Sequence, residues 1–236
     1  MPDKMFTFLS RLVLVALSAT LMTAAHAERV GGTRFELPSA DWKELVSFEQ
    51  DLKFNGGQYV LPLYTTAYVL PSAASTTPKA ILVVTSSRGG NRSSVNWASD
   101  RCPASRPKFL AMDFGTNQLT DRLECVVVNS EFNPAAFFKN DQRIADALKD
   151  KGLELFKSGY SLRSIVGVKT GTYLRTNLMV QRDFKGLEGT PANAADRHEV
   201  PEPLVAWAEA MHVATKSSTH SIVGTLTLPP VEFGSK

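Results

Sequence analysis

The chain has 236 residues, 43% hydrophobic and 21% charged, with 26 basic and 23 acidic side chains and a net charge of +3. Such a composition supplies a packed core and excludes an intrinsically disordered chain. So small a net charge predicts no general affinity for nucleic acid.

The N-terminus carries the firmest pattern. Lys4 and Arg11 give a basic start, Leu12 to Leu17 is apolar, and Ala25-His26-Ala27 has small residues at both positions a signal peptidase reads. Residues 1–27 are therefore expected to be a secretory signal peptide, cut between Ala27 and Glu28. The apolar run falls short of the roughly 20 residues a spanning helix needs. No cysteine closely follows it to carry a lipid. The expected product is a bacterial periplasmic or secreted chain, with no membrane span after cleavage. Residues 28–236 are expected to form one globular domain, with 24 basic and 22 acidic residues.

Both cysteines, Cys102 and Cys125, lie in that mature part with 22 residues between them. Two cysteines in an exported chain most often pair. The loop they would close is worth roughly 3 kcal/mol by the chain-entropy model. The spacing is not C-x-x-C, and two cysteines alone cannot complete a zinc site.

In chain order, Thr33 to Leu37 alternates like a half-buried strand and stops at Pro38. Asp41-Trp42 opens an acidic stretch. Gln58 to Leu70 reads as two short strands or one bulged edge strand, because Pro62 interrupts it. Ile81–Thr85 and Ser93–Trp97 read as a hairpin about Gly89-Gly90, with Val84 opposite Val95 and Leu82 opposite Trp97. Phe109–Met112 and Leu123–Val128 are strands with a turn at 115–117, which puts Cys125 in a buried strand.

Asn133-Pro134 is a helix start, a capping residue followed by proline at the first helical position. The helix is expected to reach about Lys151 and stop at Gly152, with Phe137, Ile144 and Leu148 as its apolar stripe. A second hairpin joins Ser164–Val168 to Tyr173–Gln181 through Thr170-Gly171-Thr172, pairing Val168 with Leu174 and Ser164 with Leu178. Its other face would carry Tyr173 and Arg175. Residues 185–203 read as a long loop and Leu204–Thr215 as an amphipathic helix. Residues 221–228 fit either a helical extension or a last strand. Hairpins with few helices predict an α+β fold: a mostly antiparallel sheet with two or three helices packed on one face.

Few patterns point to chemistry. Ser105–Lys108, Ser94–Asn96 and Lys169–Gly171 are fragments of the penicillin-binding serine signature, but they occur in the wrong order, and Ser105 lies between Pro103 and Pro107 rather than at a helix start. There is no G-x-S-x-G elbow and no P-loop. Glu209 and His212 stand at metal-compatible i, i+3 spacing, with His198 and His220 elsewhere, yet a lone Glu-x-x-His is usually a solvated face. No metal or cofactor is expected. Asp100, Asp113 and Asp121 near the cysteine loop have no assignable role.

Charge distribution says more. Residues 155–182 hold Lys157, Arg163, Lys169, Arg175 and Arg182 and no acid. Residues 88–108 hold five basic residues against Asp100 alone. If the two hairpins share a sheet, Arg92, Lys169, Tyr173 and Arg175 form a candidate anion site, against the plainer alternative of a solvated face. The sequence therefore favours a non-catalytic envelope protein that binds a partner protein or an anionic small molecule or glycan. The alternative is a periplasmic hydrolase with dispersed catalytic residues.

Overall fold

The computed structural model describes residues 27–54, 59–87, 102–116, 122–139, 142–168, 171–187, 200–220 and 225–231. The signal segment up to residue 26, the 93–97 strand and most of the 185–203 loop lie outside the described residues.

Two sheets organise these residues. β1 (Ala27–Val30) and β2 (Thr33–Glu36) form a short hairpin, and β10 (Thr225–Thr227) adds to β2 in parallel. Residues 225–227 thus resolve the helix-or-strand question for part of 221–228; residues 221–224 lie outside. The second sheet is antiparallel throughout, in the order β3-β4-β5-β9-β8-β7-β6. Its strands are β3 (Lys43–Phe54), β4 (Tyr59–Leu70), β5 (Ala80–Ser87), β6 (Phe109–Asp113), β7 (Leu123–Phe132), β8 (Gly159–Gly167) and β9 (Tyr173–Gln181). The helices are α1 (Pro134–Phe138), α2 (Gln142–Asp150) and α3 (Glu202–His220). The fold is α+β, as the hairpin pattern predicts. Among the described residues no helix is long and apolar enough to cross a membrane.

The helices cover both faces rather than one. Alternation along β5 makes this plain. Leu82 and Val84 pack with Leu162, Leu174 and Leu178 under α3 and the small sheet. Ile81 and Val83 pack with Phe138, Ile144 and Leu148 of α1 and α2. Every residue of β5 is buried. A strand covered on both faces reads as a continuous apolar run, which is how Ala80–Val84 reads.

That position overturns the hairpin about Gly89-Gly90. Both edges of β5 are occupied, Val84 lying between Thr66 of β4 and Thr176 of β9. No edge remains for Val95 or Trp97 to pair with Val84 and Leu82. The turn chemistry was compatible with a hairpin, but the pairing of β5 is set by strands distant in sequence.

β3 was missed. Its charges read as an acidic stretch, yet partly buried Phe48, Gln50 and Leu52 alternate along an edge strand with exposed Ser47, Glu49, Asp51 and Lys53. β4 is one continuous interior strand, not an edge. Pro62 lies within it, paired with Asp51 of β3.

The helix opening at Asn133 forms as expected: Asn133 Oδ1 accepts from Ala136 N at 3.2 Å, with Pro134 at the first position. It is interrupted after Phe138, however, and resumes at Gln142. Residues 140 and 141 lie outside the described residues. α2 ends in a Schellman motif, Leu153 N donating to Leu148 O at 2.8 Å and Gly152 N to Lys149 O at 2.9 Å, with Gly152 at φ 68.

The β8–β9 hairpin closes in a different register from the one expected. Leu174 faces Val166 and Thr176 faces Ser164, with Val168 N donating to Thr172 O. The shift is two residues in pairing, so the face assignment survives: Tyr173 and Arg175 lie opposite Leu174 and Leu178.

Candidate anion site

Antiparallel register aligns one row of side chains across four strands, polar on three of them. Phe48 of β3 faces Thr65 of β4, Thr65 faces Thr85 of β5, and Thr85 faces Arg175 of β9. One step further along the same face, Val83 faces Asn177, which faces Arg163 of β8. α1 and α2 close over part of this face. Between helices and sheet lies a cavity of about 300 Å³ whose polar lining is Gln50, Thr65, Arg143, Arg175 and Asn177.

The polar groups form a chain. Gln50 Nε2 donates to Thr65 Oγ1 at 2.9 Å, the Thr65 and Thr85 hydroxyls lie 3.0 Å apart, and Arg175 Nη2 donates to Thr85 Oγ1 at 3.3 Å. Arg143, from α2, donates to Glu49 O and to Gln50 Oε1, each at 3.2 Å, and stacks 3.7 Å above the Phe48 ring. Those contacts hold its guanidinium at the rim of the cavity. Asn177 Oδ1 is buried with no hydrogen-bond partner among the described residues.

Arg163 and Arg175 face one another electrostatically. Burial, and then the Arg175 charge, pull the Arg163 pKa below the usual arginine value, with Tyr173 acting in the opposite direction. Among the described residues neither arginine pairs with a carboxylate.

Of the four residues expected to bind an anion, the structure puts Arg175 in this cavity. Tyr173 shares its face but is buried in a separate apolar cluster with Leu61, Leu63 and Leu123, its N–H donating to Ser87 Oγ. Arg92 and Lys169 lie outside the described residues. Arg143, Arg163 and Asn177 were not singled out. Arg163 stood in the acid-free basic stretch, but only the register of β8 against β9 brings it beside Arg175.

The other candidate residues have structural roles. Ser105 Oγ accepts from Ala111 N at 2.9 Å and donates to Ala111 O at 3.0 Å, occupying the outer edge of β6. Lys108 pairs with Glu131. Asp113 Oδ1 accepts from the N–H groups of Gly115 and Thr116. Burial alone would raise the Asp113 pKa, but those bonds outweigh it and the pKa is lowered. Asp100, Asp121 and His198 lie outside the described residues. Cys102 and Cys125 form a disulfide, S–S 2.03 Å and Cα–Cα 5.5 Å.

Glu209 and His212 do not meet a common ligand, since Glu209 is exposed and His212 buried. Among the described residues no three His, Cys, Asp or Glu side chains cluster to hold a metal. His212 instead joins a buried network beneath α3. Ser164 Oγ lies 3.3 Å from its Nδ1, Glu124 Oε2 lies 3.7 Å from its Nε2, and Phe114 stacks on its ring at 4.4 Å. Glu124 also pairs with Arg122, and with Lys216 Nζ at 3.1 Å. Serine, histidine and glutamate are the residue types of a hydrolytic triad, but Ser164 is 1% exposed and sealed under the helix. This network ties α3 to β7 and β8.

Burial, then the charges of Lys216 and Arg122, lower the His212 pKa from 6.5 to about 4. Between those values the unfolded chain binds the proton and the folded one does not. Stability is therefore lost as pH falls from about 6.5 towards 4. The loss attributable to His212 between pH 7.5 and 4.5 should be about 2 kcal/mol. Urea unfolding of wild type and His212→Gln at both pH values measures it; equal pH slopes for the two proteins would refute it.

Compared with models of known families, with curated proteins and with solved structures, the chain gives no match, and its function is read from the cavity itself.

Proposed function

We propose that this is an exported binding protein that holds a small anionic ligand in the cavity between α1, α2 and the large sheet. The observation that carries the proposal is the Arg163–Arg175 pair, two like charges on adjacent strands with no carboxylate partner among the described residues. Partly buried cations without counter-charge are costly, and a bound anion offsets that cost. Of that pair Arg175 lines the cavity, where Arg143 adds a second positive charge. The N-terminal pattern and the Cys102–Cys125 disulfide support export to an oxidising compartment. The volume favours a small molecule over a glycan chain or a partner protein.

The test uses protein purified from the exported fraction, where its first residue should be Glu28. Calorimetric titration at low salt with acetate and with inorganic phosphate should detect binding. Arg175→Gln should weaken it by about tenfold or more, since a charge-assisted hydrogen bond is worth roughly 1.5–3 kcal/mol. Absence of binding to wild type, or an unchanged Kd in a folded Arg175→Gln variant, would overturn the proposal.

A further inference from the structure

The cavity is divided. Thr65, Arg175 and Asn177 line the sheet side, with Arg143 at the rim, while Phe48, Val83, Phe137, Phe138 and Ile144 supply an apolar wall. At roughly 30 Å³ of liquid volume per water, 300 Å³ corresponds to about ten waters. An inorganic anion fills a small part of that space and leaves the apolar wall wet. Sites for organic ligands have the opposite make-up, an apolar lining with a few polar groups that fix orientation.

The rim is also fixed before any ligand arrives. Phe48 is held under the Arg143 guanidinium, and Phe137 is held edge-on by Phe132 and Phe138, with ring centroids 5.4 and 5.1 Å away. The Arg163 guanidinium lies 5.8 Å from the Phe137 ring centroid. The aromatic wall and the cations are therefore one assembly, so a ligand that reaches the charge at Arg175 also meets the rings.

We propose that the ligand is an amphipathic organic anion: a carboxylate or phosphate group held at Arg175, carrying an apolar body that rests on Phe48, Phe137 and Ile144. This rests on the anion-binding reading above and adds the apolar half to it.

The experiment is a chain-length series, acetate, butanoate, hexanoate and octanoate, titrated into the full exported protein, with phenyl phosphate against inorganic phosphate as the second headgroup. Each buried methylene should tighten binding about fourfold until the cavity is full, because burial is worth about 0.8 kcal/mol per CH₂. Phe137→Ala should flatten that slope, weakening octanoate by a larger factor than acetate, and Phe137→Leu, which disturbs packing less, should restore part of it. Arg175→Gln should weaken every member of the series alike.

If acetate binds and Kd stays flat along the series, the apolar half is wrong and the anion site stands. If the slope survives Phe137→Ala unchanged in a folded protein, the apolar body lies elsewhere and the proposal fails. If neither acetate nor inorganic phosphate nor any longer member binds, the anion-binding reading fails first and this proposal falls with it.

Discussion

Replacing Gly159 with alanine should cost the fold about 3 kcal/mol, one of the largest effects of any single methyl group in this protein. Gly159 begins β8 and pairs with Gln181 of β9. An added Cβ would stand 2.1 Å from the Val180 carbonyl oxygen and 2.9 Å from Phe156 Cε2. The first contact is with backbone, which no rotamer change relieves. Either β8 and β9 separate at this end, breaking ladder hydrogen bonds between two interior strands, or Val180 shifts within the core beneath α3. Gly152→Ala is the matched comparison. Gly152 sits at φ 68 with nothing within 4 Å of the added atom, so only backbone strain of about 1 kcal/mol applies. Urea unfolding should rank Gly159→Ala well below Gly152→Ala. Equal stabilities would show that β8 and β9 adjust freely.

Removing the disulfide should cost a comparable amount by a different route. Cys102 and Cys125 are 23 residues apart in sequence, and cross-linking such a loop lowers the entropy of the unfolded chain by roughly 3 kcal/mol equivalent. Cys125 is buried in β7 among Leu123, Val127 and Tyr173, so alanine is the replacement that leaves no unpaired hydroxyl there. The Cys102→Ala/Cys125→Ala protein should melt about 6–12 °C below wild type, a range set by the size of the chain. Loss of the tether also frees the segment that carries Ser105, whose hydroxyl occupies the Ala111 N–H and C=O on the outer edge of β6. An uncovered edge invites strand pairing between molecules, so the variant should also aggregate sooner on heating. Thermal melts with and without reductant on wild type give an independent measure. A melting point insensitive to both changes would refute the tether.

Several local features were written into short stretches of chain. Asn133-Pro134 specified a helix start because a side-chain acceptor and a proline act within three residues. Gly152 specified a helix stop for the same local reason. The face on which Arg175 lies followed from strand alternation, and it survived a two-residue change in register because that shift preserves the face. The two cysteines allowed a single intramolecular pairing, and that pair forms.

Partnership was different. The apolar run of β5 announced a strand without naming its neighbours, and the nearest turn signal pointed to the wrong one. Its true partners, β4 and β9, bury its apolar side chains on both faces, which a local hairpin could not have done. β3 was hidden because an edge strand alternates weakly and carries charge on its wet side.

The cavity depends on these distant pairings entirely. Phe48, Arg143 and Arg175 come from an edge strand, a helix and an interior strand, and no spacing rule links them. The sequence by itself determined where the helix α1 begins, where α2 ends, which cysteines join and which way Arg175 faces, since each is decided by neighbours along the chain. Only the tertiary structure decided that Arg175 lies on the strand next to Arg163 and in one cavity with Phe137 and Arg143, because that depends on strand order and on which helices cover which face, and both are settled by global burial of apolar surface.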